Sequence, residues 1–184
     1  MFRSSLSELK NTKTLSIMSI LVAINIVISS LFFPIGESLR IYITFIVYTL
    51  AAIISGPIAG LVWAFVVDIA GFLIHPFGPF FPGYTLTAML SMFIYGVFFY
   101  KQEITLLKIF TAKFFVNFIC HVLLNSLWAS ILYSNVFYYY LVKSFIKNLI
   151  LWPIESIIIF LILKLLLKRL NKLNYLKQDY IRLF

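Results

Sequence analysis

Charge is what this sequence has least of. Only 11% of its 184 residues are Asp, Glu, Lys or Arg, where a soluble domain carries about 25%. Acidic residues number six. There is one cysteine, Cys120, which excludes an internal disulfide and reads as a small packed side chain. There are two histidines, and no second His or Cys stands at metal-binding spacing from His121, so no metal site and no cofactor are expected. No phosphate-cradling loop and no His-Glu-x-x-His is present, which argues against an enzyme or an ATPase module.

What the chain does have is apolar length. Residues are 62% hydrophobic and 18% aromatic, with a mean hydropathy of +1.03. This composition specifies an all-α integral membrane bundle in a single domain, 1–184. A crossing helix needs about 20 apolar residues, and continuous apolar runs favour helices over an alternating barrel. Six spans are expected, at roughly 15–33, 40–55, 57–74, 84–100, 109–133 and 146–168, with Ser55-Gly56-Pro57 as a very tight turn between the second and third. The uncharged run from Thr14 to Gly36 has no cleavage pattern and is read as a helix rather than a signal peptide. Residues 170–184 read as an interfacial or solvated tail.

The net charge is +9, but its carriers are spread out, which suits loops on an anionic leaflet better than nucleic acid. With the N-terminus inside, 12 of the 15 basic residues, Lys113 among them, fall at the cytoplasmic side, and Arg40, Lys143 and Lys147 fall outside. Both termini are therefore expected in the cytoplasm of a multi-pass plasma-membrane protein.

Proline and glycine are scarce, 6 and 7 in all, yet Gly78-Pro79-Phe80-Phe81-Pro82-Gly83 holds two of each. Such a segment cannot continue a helix. It reads as a stiff aromatic hairpin at the outer side, leading into Tyr84-Thr85-Leu86-Thr87 at the next helix start.

Charges inside a bilayer are costly and usually functional. Asp68 lies deep in the uncharged run Leu61 to Ile74. It is either a packing carboxylate paired to Arg40 or Lys147, or an acceptor for a polar ligand. Arg40 stands at the outer mouth as an anchor or an anion contact. Lys147 and Glu155 are eight residues apart, near one face of the last span, with Pro153 between them. Asn117, His121, Asn125 and Trp128 form a polar stripe expected to face the bundle interior. His75 is given no role. Small residues repeat at Ala52, Gly56, Gly60 and Ala64, and again at Ser19 and Ala23. Such rows serve internal packing or docking to a partner membrane protein.

The runs Ser55-Gly56-Pro57-Ile58-Ala59-Gly60, Val67-Asp68-Ile69-Ala70-Gly71-Phe72 and Gly78 to Ser91, with Asn125-Ser126-Leu127-Trp128 and Lys147 to Glu155, resemble the folate-specific S component of energy-coupling factor transporters. The likeness runs from about residue 14 to 169. Two departures stand out: Lys143 and Ser144 where the family often has an arginine, and Met92 where a small residue is usual. The resemblance implies a six-helix subunit that captures a vitamin outside, then joins a transmembrane coupling subunit and two ATPase subunits. It implies that Asp68 meets the N–H donors of a pterin, with Thr85 and Asn125 nearby. Arg40 and Lys147 would meet the glutamate carboxylates, and Phe81, Tyr84 or Trp128 would stack on the rings. Ser19 and Ala23 would dock the partner. The alternatives are an S component for riboflavin or thiamine, and a six-helix membrane scaffold that binds no vitamin.

Overall fold

The structure, a computed structural model, describes residues 1–30, 32–35, 39–76, 78–133 and 136–172, with side chains at 32–35, 39–41 and 167–172 outside that description. The chain forms two compact units, Met1–Tyr100 and Lys101–Phe184.

The first unit is built on a broken helix. It comprises α1 (Phe2–Glu8), α2 (Thr12–Ser30), an antiparallel ribbon of β1 (Phe32–Ile35) and β2 (Leu39–Tyr42), α3 (Phe45–Ile74) and α4 (Pro82–Phe99). Gly56 interrupts α3 at φ 73 and ψ −171. The positive φ suits glycine, and Pro57 then starts the next stretch, where its missing N–H is no loss. The break is a reversal. The Tyr48 and Trp63 rings meet edge to face, with centroids 5.2 Å apart. A straight helix would hold residues 48 and 63 about 22 Å apart. Residues 45–55 and 57–74 are therefore two arms folded against each other, as the Ser55-Gly56-Pro57 signal implies.

Small residues let the reversal close. Ala52, Gly56, Gly60 and Ala64 are all buried, so this row packs internally. A methyl on Gly96 would come within 2.5 Å of the Pro57 backbone, and one on Gly56 within 2.6 Å of the Tyr100 ring. Met92 fills the space over Gly60. Hydroxyls buried here donate to their own helices: Thr49 to the Phe45 carbonyl, Ser55 to Ala51, Thr87 to Gly83 and Ser91 to Thr87. That removes most of the penalty for burying them away from water.

Two expectations change in this unit. Arg40 lies in β2 opposite Pro34, ahead of the helix that was to begin at residue 40. The ribbon escaped notice because its strands are only four residues long. The leading residues also carry an unexpected helix, α1. A seven-residue helix is too short to be stable alone; α1 is held by contacts described below.

The second unit has α5 (Leu106–Phe115), a π-helical stretch (Val116–Leu124), α6 (Asn125–Tyr133) and α7 (Phe137–Lys172). The first three run on as one rod, started by Thr105, whose hydroxyl accepts from the Lys108 N–H at 3.3 Å. Trp152 ties α7 to α5 by donating to the Phe110 carbonyl at 2.9 Å and meeting the Phe110 and Phe114 rings. The last helix begins nine residues before the expected start, so Lys143 lies within it. The expected tail continues α7 as far as Lys172, and from 173 on it lies outside the described residues.

Among the described residues five helices are long and apolar enough to cross a membrane: 12–30, 45–74, 82–99, 106–133 and 137–166. Ile20, Val27, Leu73, Leu107, Leu149 and Ile150 are exposed. Surfaces of that kind belong in lipid.

Candidate functional site

A cavity of about 690 Å³ opens in the first unit. It is within the range of small-molecule sites, roughly 300–1,000 Å³. The end of α2, the end of the ribbon, the start of the first α3 arm and the end of the second arm wall it. Asn25, Ser29, Tyr42, Thr44, Tyr48, Asp68 and His75 give it polar groups, and Val67, Gly71 and Phe72 give it apolar ones. The reversal at Gly56 is what brings Thr44 and Tyr48 to the same level as Asp68.

Asp68 is oriented by a neighbour. Thr85, buried in the first turn of α4, donates its hydroxyl to Asp68 Oδ2 at 2.6 Å. Among the described residues Asp68 makes no salt bridge, and the Arg40 side chain is not among them. A carboxylate offers about four lone-pair sites. One of them holds Thr85; the rest can face a ligand. Asn25 is the complementary group. It is 3% exposed, it lines the cavity, and among the described residues its Nδ2 has no hydrogen-bond partner. A buried amide donor left open beside a cavity is costly unless something accepts from it. The wall therefore offers a donor at Asn25 and an acceptor at Asp68.

Phe81 and Tyr84 stand at the head of α4, with ring centroids 6.1 Å apart. Neither lines the cavity as it stands. Asn25, Tyr48 and His75 were missed as lining residues. An asparagine in an uncharged apolar run is a legible signal. Tyr48 and His75 gain meaning only once the reversal places them.

The second unit carries its own buried polar row. Lys113 Nζ lies 2.9 Å from Glu155 Oε2, and Asn117 Nδ2 donates to the same oxygen at 3.4 Å. Lys113 is thus a buried side chain in a spanning helix, 2% exposed, and not a cytoplasmic flank. Its partner Glu155 was expected beside Lys147. The amide of Asn125 lies 3.4 Å from His121 Nδ1. Among the described residues Asn117 Oδ1, Asn125 Oδ1 and Ser126 Oγ are buried without partners. Lys147 is half-buried on α7, as Trp128 is on α6.

The π stretch explains why Lys113, Asn117, His121 and Asn125 keep one face. Over those twelve residues an α-helix drifts by about 120°. A π-helix has roughly 4.4 residues per turn, and its under-rotation brings the drift to within about 40°. Asn117, His121 and Asn125 of the expected stripe keep one face, and it is the π geometry that holds them in line.

On α2, Ser19 and Ala23 are exposed, and the Ser19 hydroxyl donates back to the Leu15 carbonyl. This pair is not used for packing within the first unit.

Residues 13–163 match the family described as the substrate-specific component of ECF transporters. The chain belongs to that family. Relatives of this S component include the folate transporter FolT of Clostridium novyi (strain NT), 29% identical over 153 residues, covering 83% of this chain and 88% of the relative. The folate transporter FolT of Leuconostoc mesenteroides subsp. mesenteroides is 30% identical over 152 residues, with 79% and 81% covered. Among solved structures, a crystal structure of FolT bound with folic acid superposes with a TM-score of 0.72 at 34% identity, covering 79% of this chain and 88% of the other. The S component is thus a multi-pass membrane transport subunit and not an enzyme, and the scaffold alternative falls.

Proposed function

We propose that this S component captures folate at the outer face of the plasma membrane and passes it inward with a transmembrane coupling subunit and two ATPase subunits. The observation that carries the reading is the cavity wall. Asp68 is held by Thr85 with acceptor sites to spare, and the open donor of Asn25 shares the same cavity. A pterin presents adjacent N–H donors and a ring carbonyl, which match an acceptor and a donor in turn. Similarity to FolT proteins, one of them solved with folic acid, favours folate over riboflavin or thiamine.

In this reading Phe81, Tyr84 or Trp128 stacks on a ring, Asn125 adds a hydrogen bond, and Arg40 and Lys147 take the two tail carboxylates. The two arms of α3 count as separate crossings, giving six, with both termini in the cytoplasm. Ser19 and Ala23, exposed and small, let a helix of the coupling subunit approach closely.

Purified protein titrated with folate, riboflavin and thiamine, read by tryptophan fluorescence, tests the substrate. A saturable response to folate alone is expected. A response to riboflavin or thiamine in its place overturns the substrate, and silence to all three overturns vitamin capture by this cavity.

A further inference from the structure

The short helix α1 has two faces with different work. Its inner face closes the α3 reversal. Ser5 is fully buried and donates to the Ser55 carbonyl at 2.7 Å. Ser5 Oγ in turn accepts from the backbone N–H groups of Ile58 and Ala59 at 2.9 and 3.1 Å. Those two groups open the second arm and have no carbonyl of their own. Ser5 thus caps a helix that begins fifty residues later. Glu8 also turns inward: Oε1 accepts from the Tyr100 hydroxyl at 3.0 Å and Oε2 from Thr14 at 2.8 Å. The negative charge of this segment is therefore spent inside the fold.

Its outer face is apolar and basic. Phe2, Arg3, Leu6 and Ser7 are exposed at spacings that share one side of α1, Phe2 also resting on Phe93 of α4 with ring centroids 6.2 Å apart, and Lys10 is exposed in the turn that follows. Phe2 and Leu6 are each about half exposed, 51% and 53%. Lys13 follows, also exposed. The level at which this face sits is fixed within the first unit. The start of α2, the reversal of α3 and the end of α4 at Tyr100 all meet α1, so it lies where helices leave the bilayer. Apolar side chains mixed with lysine and arginine, with no outward carboxylate, describe a helix lying in an anionic interface.

We propose that α1 is an interfacial clamp: its outer face binds anionic phospholipid headgroups, while Ser5 on its inner face holds the α3 reversal shut. The occupant is lipid rather than protein because Arg3 on α1, Lys10 in the turn after it and Lys13 at the start of α2 stand beside shallow apolar side chains, which matches headgroups above acyl chains. Each basic residue near an anionic surface strengthens binding by roughly fivefold, so three together contribute about a hundredfold to the docked over the undocked population.

A nitroxide label on Leu6→Cys tests this in the full-length protein reconstituted into vesicles. Leu6 is exposed, so the change leaves the core alone. Native Cys120 is buried, and labelled parent protein supplies the background. In phosphatidylglycerol vesicles the label should collide with oxygen and be shielded from a water-soluble nickel complex. In phosphatidylcholine it should shift toward the nickel complex. The triple change Arg3→Gln, Lys10→Gln, Lys13→Gln should abolish the difference between lipids. Equal shielding in both lipids overturns the proposal, because charge then plays no part. Nickel contact in both overturns it, because the face then meets water. Shielding that appears only when coupling proteins are added overturns it in favour of a protein occupant.

Discussion

At the residue scale, Asp68 and Lys113 are both charges in a spanning segment, and they answer to different logic. Asp68 faces a cavity and has one hydroxyl partner. Replacing it with Asn keeps the shape and removes the charge. A hydrogen bond to a charged group contributes about 1.5–3 kcal/mol, so Asp68→Asn should weaken folate binding by roughly 10- to 100-fold while the melting temperature holds or rises. Calorimetric titration beside a thermal melt separates the two. Unchanged affinity would remove Asp68 from the ligand contacts. Lys113 is instead matched to Glu155 inside the second unit. Lys113→Met alone strands a buried carboxylate and should cost about 3–5 kcal/mol, whereas Lys113→Met with Glu155→Met should restore stability. Thermal unfolding in detergent reads both. A double variant as unstable as the single would mean that the pair is not an isolated charge match.

At the element scale, the reversal in α3 is the feature most exposed to small changes. Gly56→Ala meets both a positive φ and the Tyr100 ring, and should destabilise by about 1–3 kcal/mol. Gly71→Ala, with nothing within 4 Å of the added methyl, should leave stability unchanged or slightly raised. Ser5→Ala leaves two helix-start N–H groups without their acceptor and should cost about 1–2 kcal/mol. Equal melting temperatures for Gly56→Ala and Gly71→Ala would refute the packing account. Much of this element was legible beforehand. Ser55-Gly56-Pro57 marks the turn, and the apolar runs mark both arms. What sequence could not show was the cap, because Ser5 acts fifty residues away and no local pattern announces a long-range partner. The ribbon was lost for a similar reason, since four-residue strands leave too short an alternation to read. Lys113 was misplaced because a basic residue near a helix end looks like a loop flank until Glu155 is set against it in space.

At the scale of the whole molecule, composition alone specified a membrane bundle, since an 11% share of charge cannot clothe a soluble surface. The cavity residues needed more. Asp68 and Thr85 come from sequence segments that were both singled out, and the fold joins them. Asn25 and Tyr48 emerge only when three segments converge on one cavity. Partner recognition belongs to this scale too. Ala23→Trp places a bulky ring on an exposed face of α2, away from the cavity, and should block co-purification with the coupling subunit while leaving folate affinity intact. Retention of the complex would assign that face to lipid alone.

The clamp also has a consequence for how the protein is made. Ser5 leaves the ribosome early, yet its acceptor Ser55 follows fifty residues later and Tyr100, the partner of Ser4, ninety-six later. At synthesis rates of about 5–20 residues per second, that is roughly 5–20 seconds in which the first helix waits unmatched. The partners of the Ser5 cap are made by Ala59 and the cavity lining by Pro76, so α4 adds the last contacts, Tyr100 to Ser4 and Glu8 and Thr85 to Asp68. A nascent chain halted just before Tyr100 should hold the Ser5 cap but lack the Tyr100 contacts to Ser4 and Glu8, and a chain released past it should hold all of them.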